Sequence, residues 1–129
     1  MSQTPDSYAG GRPTVSPGEE RTMGTLGHAI PLIAMVVSVG VLGFLASLVL
    51  WFVYRDKGPF VRAHVANSLN IQIMTGIVLL VSLPLMLLLV GFVTWGLAIV
   101  IAFVLHVVGA VKANRGEWWD PPLTPHFVR

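Results

Sequence analysis

Along this chain the charged side chains fall into three short clusters, and the two stretches between them carry none. Asp6, Arg12, Glu19, Glu20 and Arg21 make the first cluster. Arg55, Asp56, Lys57 and Arg62 make the second, and Lys112, Arg115, Glu117, Asp120 and Arg129 the third. The uncharged stretches cover residues 22–54 and 63–111. A soluble helix keeps charges on its wet face, whereas a charged group at the centre of a bilayer costs at least about 2.5 kcal/mol. The pattern predicts an all-α integral membrane protein.

The punctuation inside that pattern predicts the elements. Residues 1–15 are rich in Ser, Thr, Pro and Gly with few large apolar side chains, the composition of a disordered tail. One helical membrane domain, 16–129, is expected to follow. Ser16-Pro17-Gly18-Glu19 has the form of a capping box with Pro at the first helical position, so a first helix is expected over about 17–37. Its apolar part weakens at Ser38-Val39-Gly40, and a second helix is expected over about 41–56. The uncharged stretch 22–54 holds one span of about 20 residues but not two. Two readings therefore stand: one long tilted helix, giving three spans in all, or a short hairpin of two helices, giving four membrane-embedded helices.

The second half is plainer. Gly58 is suited to stop one helix and Pro59 to start the next, so a third helix is expected over about 59–89, kinked at Pro84. A turn at 90–93 and a fourth helix over about 93–114 complete a long hairpin. Arg55, Lys57 and Arg62 lie two spans away from Lys112 and Arg115, hence on the same side, which the positive-inside rule assigns to the cytoplasm together with the C-terminus. The first apolar run is too long for the h-region of a cleavable signal, so it is expected to remain in the protein.

Composition agrees with this picture and narrows the function. The chain is 54% hydrophobic and only 11% charged, against about 25% charged in soluble domains. A net charge of +2 without a basic run argues against a nucleic-acid partner. With no cysteine, disulfides, thiolate metal sites and thiol catalysis are excluded. No G-x-S-x-G, H-E-x-x-H or intramembrane carboxylate pair is present, so no enzyme activity and no cofactor is expected.

Polarity at depth is uncharged and patterned. At 100° per residue, His64, Ser68, Gln72, Thr75 and Ser82 share one face of the third helix. On the fourth helix Thr94, Ala98, Ala102, His106, Gly109 and Ala113 form a ridge of mostly small residues on which another backbone can pack closely. Docking ridge on stripe turns His106 inward, where it is expected to share a polar cluster with His28 of the first helix. The stripe has two readings: interhelical hydrogen bonding or a hydrophilic path for an ion or small solute. A metal site is not expected, because neither apolar run contains Cys, Asp or Glu to complete one.

Two blocks carry a family resemblance: Lys57-Gly58-Pro59-Phe60-Val61 followed by His64, Leu69, Asn70 and Gln72, and Glu117-Trp118-Trp119 followed by Pro122, Thr124 and Phe127. With the 16–21 helix start and His28, the chain resembles the bacterial Tic-twenty-like family of membrane proteins over about residues 16–128. The resemblance implies four membrane-embedded helices with both termini inside, in a multi-pass protein of the bacterial cell (plasma) membrane. It departs from that family's pattern at Asn67, where an acidic residue is common. It implies a non-catalytic scaffold or assembly partner linked to protein translocation, with the lipid bilayer, further copies or other membrane proteins as partners. The competing expectation is an oligomeric channel or transporter subunit using the polar stripe. Within the motif, His64 is expected to hydrogen-bond the 112–119 backbone, and Asn70 and Gln72 to pair with the end of the first helix or with the C-terminal segment.

Overall fold

In the computed structural model, which describes residues 13–129, the first helix starts as its capping box dictates. The Ser16 hydroxyl accepts from the Glu19 N–H at 3.2 Å, and the Glu19 carboxylate accepts from the Ser16 N–H at 2.8 Å. Pro17 fills the first helical position, and α1 runs Pro17–Val37. It ends in a Schellman motif. Val39 takes a left-handed φ of 56°, its N–H donates to the Val36 carbonyl, and Gly40 N–H donates to the Met35 carbonyl at 2.7 Å. The Ser38 hydroxyl staples the turn, donating to Ala34 O and accepting from Leu42 N–H. Val41 and Leu42 thus belong to the turn, and α2 covers Gly43–Tyr54. At 12 residues α2 is about 18 Å long, short of the roughly 30 Å hydrocarbon core. The first two helices make a hairpin, not one long helix.

After Gly58, α3 spans Pro59–Leu85, a short 3₁₀ turn covers Met86–Leu88, and α4 spans Val90–Asn114. The expected turn at 90–93 is corrected to 86–89. α3 stops one residue after Pro84 instead of kinking through it, and Leu89, not a glycine, takes the left-handed φ of 66°. Gly91 serves close packing instead. A Cβ there would strike the Ser82 carbonyl oxygen and the Met86 backbone nitrogen, so its bare backbone lets the two chains of the hairpin touch. The Ser82 and Thr94 hydroxyls bond directly across that approach.

Among the described residues there are four α-helices and no strand. α1 and α3 pack on each other and on both remaining helices, while α2 and α4 flank the pair on opposite sides. Two stretches, Pro59–Leu88 and Val90–Asn114, are long and apolar enough to cross a bilayer. The outer surface is covered in large apolar side chains, with Val37, Leu80 and Leu87 exposed at 78%, 69% and 89%. Such a continuous apolar exterior is at home in lipid and not in water.

The described members of the three charge clusters lie at one end of this bundle. Thr14 N–H donates to the Lys57 carbonyl at 2.9 Å, Arg62 Nε donates to the Arg129 carbonyl at 3.1 Å, and Arg21 lies against Gly116. Thr14 belongs to the segment read as a disordered tail, so the last part of that segment is bonded to the 55–58 loop. The remainder of that expectation, residues 1–12, lies outside the described residues.

Candidate functional site

α3 is the axis of the site. From Phe60 to Gln72 nearly every residue is buried, because α1, α2, α4 and the C-terminal segment all close around this half. The segment has no helix or strand of its own after Asn114 and is held through its backbone. His64 Nε2 donates to the Glu117 carbonyl at 2.8 Å, Asn67 Nδ2 to the Trp119 carbonyl at 2.7 Å, and Asn70 Nδ2 to the Val128 carbonyl at 2.9 Å. Val128 N–H returns a bond to Asn70 Oδ1 at 2.8 Å. An amide is needed at Asn67: an ionised carboxylate would face that carbonyl acceptor to acceptor. Asn70 pairs with the C-terminal segment, one of the two expected partners, while Gln72 turns inward to Met35 in the last turn of α1, the other expected partner, and to His106.

Inward of this clamp runs a chain of buried imidazoles. His64 Nδ1 lies 3.3 Å from His28 Nε2, His28 Nδ1 lies 3.4 Å from His106 Nδ1, and His106 Nε2 lies 2.8 Å from Gln72 Nε2. Gln72 Nε2 also approaches the Met35 sulfur at 3.6 Å. All three histidines are fully buried. With each ring neutral, their protons can be placed by elimination. A carbonyl only accepts, so His64 carries its hydrogen on Nε2, leaving Nδ1 to accept from His28 Nε2–H. His28 Nδ1 then accepts from His106 Nδ1–H, and His106 Nε2 accepts from the Gln72 amide. The chain closes with every ring neutral and every ring nitrogen partnered, as a buried polar network requires.

Space for these rings comes from glycines that sequence reasoning did not connect to them. A Cβ at Gly109 would collide with the His28 ring, and one at Gly43 with the Gln72 carboxamide. Gly109 stood in the small-residue ridge, but that pattern does not say which side chain occupies the space. The bond from His64 to the Glu117 carbonyl bears out the expectation that His64 would reach the 112–119 backbone; the identity of Met35 and of the Trp119 carbonyl as partners carried no advance signal. Ser47 and Ser68 pair with each other at 3.0 Å, joining α2 to α3. Thr75 and Ser82 donate to carbonyls four residues back in α3, the usual way for a helix in lipid to satisfy a hydroxyl. Of the eight candidate residues, His28, His64, Gln72 and His106 form one chain, Asn67 and Asn70 form the tail clamp with His64, and Ser68 and Thr75 stand apart.

The chain does not converge on a point. His28 turns different nitrogens to His64 and His106, and among the described residues no three His, Cys, Asp or Glu are placed to hold a metal ion. Residues 19–128, which include α3, the tail clamp and all three buried histidines, match a family model described as the magnetosome magnetite crystal formation protein family. The chain belongs to this MamF/MmsF family. The match overturns the resemblance to the Tic-twenty-like family, and the link to protein translocation falls with it. Several residues that carried that resemblance, His64, Asn70 and the 117–128 segment, are parts of the tail clamp. No curated protein and no solved structure matches the chain.

Proposed function

We propose that this protein is a non-catalytic structural component of the magnetosome membrane that supports magnetite crystal formation as a scaffold or assembly partner. The α3/α4 hairpin crosses the bilayer, the shorter α1/α2 hairpin is embedded beside it, and the charged end with the C-terminal segment faces the cytoplasm. One observation carries this reading: the polar side chains at depth face one another, and the surface turned outward is apolar. A pore-lining helix keeps its polar face open to water or to another subunit, whereas the stripe of α3 is closed by its own partners. Ser47 and Ser68 bond each other and not a histidine, so the buried hydroxyls are not set up as activated nucleophiles. Iron enters this reading as the mineral's constituent and not as a ligand of the buried histidines.

The test has two arms. Purified protein in liposomes is expected to give no iron(II) or proton flux above protein-free vesicles, and a flux abolished by Gln72→Leu would establish the channel reading instead. In a magnetosome-forming cell lacking this protein, the wild-type chain is expected to restore crystal size while His28→Ala, which breaks the bundle, is not. Full restoration by His28→Ala at normal protein level would contradict a role for the folded bundle.

A further inference from the structure

The end of the bundle away from the charges is formed by two turns, residues 38–42 between α1 and α2 and residues 86–89 between α3 and α4. From Leu83 to Val93 no side chain is polar, and Ser38 is the only polar side chain of the first turn. Turns that face water draw on Gly, Asn, Asp and Ser, which suit both the solvent and a left-handed backbone. Here the left-handed positions are Val39 and Leu89, whose side chains crowd such a backbone and stand outward at 62% and 74% exposure. The backbone of the turns is served from within. Each N–H from Ser38 to Leu42 is bonded inside the protein, the last to the Ser38 hydroxyl. Met86, Leu89 and Phe92 donate to carbonyls three residues back. Trp95 Nε1–H, an indole donor of the kind that serves headgroups and water at an interface, is turned to the Val39 carbonyl at 3.1 Å. Internal bonding of this kind is what a turn needs in hydrocarbon.

Length places the turns. From Val90 to Val111, the last residue before Lys112, α4 rises about 32 Å, and the hydrocarbon core is about 30 Å thick. With Lys112 at one boundary, the 86–89 turn reaches the other and has no further length with which to enter water. Trp95 lies about 8 Å inside the start of α4, so the turn of the shorter hairpin, bonded to it, is deeper in the same leaflet. We propose that both hairpin tips end among the acyl chains of the leaflet opposite the charged end, so that the protein meets water, and every soluble partner, only at its charged end. This rests on the membrane placement proposed above and adds to it that nothing polar emerges on the far side.

The test uses nitroxide spin labels, which a chain without native cysteine accepts at single chosen positions. Leu88→Cys and Val41→Cys at the tips, and Asp56→Cys at the charged end, are labelled in the full chain and reconstituted into phosphatidylcholine vesicles with a water-soluble nickel chelate on both faces. Both tip labels are expected to collide with oxygen dissolved in the lipid and to lose collisions with nickel, while the Asp56 label shows the reverse. Thermal melting of each labelled variant confirms its fold, and either tip position decides the question without the other. A tip label that collides with nickel as often as the Asp56 label, in a folded variant, overturns the proposal and leaves the scaffold reading standing. Shielding of a tip from both oxygen and nickel overturns it too, by showing that another copy covers the tip. An Asp56 label shielded from nickel removes the membrane placement on which both readings rest.

Discussion

The two halves of α3 are built from the same kind of helix and live in different surroundings. From Phe60 to Gln72 the helix is wrapped on all sides, carrying His64, Asn67, Ser68, Asn70 and Gln72 at 1% exposure or less. Beyond Ile73 only Thr75, Leu79 and Ser82 are buried, and Ile77, Leu80, Val81 and Leu83 look outward. The difference lies in the partners. In lipid there is little hydrophobic force to bring helices together, so close packing and polar contacts decide which surfaces meet. The first half has a set of directed partners: carbonyls of the C-terminal segment, imidazoles of α1 and α4, and a serine of α2. The second half has only Ser82 facing Thr94, and remains a two-helix hairpin exposed to acyl chains.

Substitutions should split along that line. The largest effect is expected from His28→Ala, which removes the central ring and orphans a nitrogen on each of His64 and His106, a loss of about 2–4 kcal/mol. Gly109→Ala tests the same half without removing a polar group. Its methyl must displace the His28 ring, and about 1–3 kcal/mol of destabilisation is expected from overpacking. Asn70→Ala breaks two bonds to Val128 near the chain end and should cost about 1 kcal/mol. Because it frees the terminal segment, it should speed proteolytic cleavage near Phe127 more than it lowers the melting temperature. Thermal unfolding in one detergent or nanodisc composition ranks the three.

Acidification probes the outer rim of the polar half. Glu19 is held below the usual carboxylate pKa of 4.5 by the Ser16 backbone N–H and then by its hydroxyl. Glu117 is held below it by the Lys112 ammonium, which lies 3.0 Å away. For carboxylates lowered in the folded state, the stabilisation is complete above pH 4.5 and is lost as pH falls through the lowered values. A modest decline in stability below that pH is expected, flattened in Glu19→Gln. Glu20 works oppositely, its burial opposing ionisation as pH rises. The distal half sets the floor: Leu87→Ala, at a side chain 89% exposed, should shift stability by less than about 0.5 kcal/mol.

Much of the architecture was legible because it follows from local rules. The Ser16–Glu19 capping box, the stop at Gly58-Pro59 and the absence of charge over 22–54 and 63–111 each act within a few residues or over a whole span. The hairpin turn was misplaced because Gly91 reads as a turn residue, while its role is to let the α4 backbone touch α3 near Ser82. The site was legible in its members and not in its wiring. Helical spacing puts His64 and Gln72 on one face, and docking the α4 ridge on that face brings His106 into one cluster with His28, 78 residues away, but nothing local says which ring nitrogens meet. The clamp on the C-terminal segment was expected for His64 and Asn70, but its individual acceptors were not, because backbone carbonyls carry no residue-type signature.

The proposed scaffold role rests on the closed polar chain, and the proton placement of that chain can be read directly. In ¹⁵N-histidine-labelled protein in bilayers, nitrogen shifts are expected to show His28 and His64 protonated on Nε2 and His106 on Nδ1. Coupling across the hydrogen bond between the two Nδ1 atoms of His28 and His106 should accompany them, with His126, bonded to Asp120 at 2.7 Å outside the chain, giving a separate signal. That pattern is what a neutral, internally satisfied network predicts. Doubly protonated rings, or imidazole protons of His28 and His106 in rapid exchange with water, would contradict it and turn the stripe of α3 back into a path.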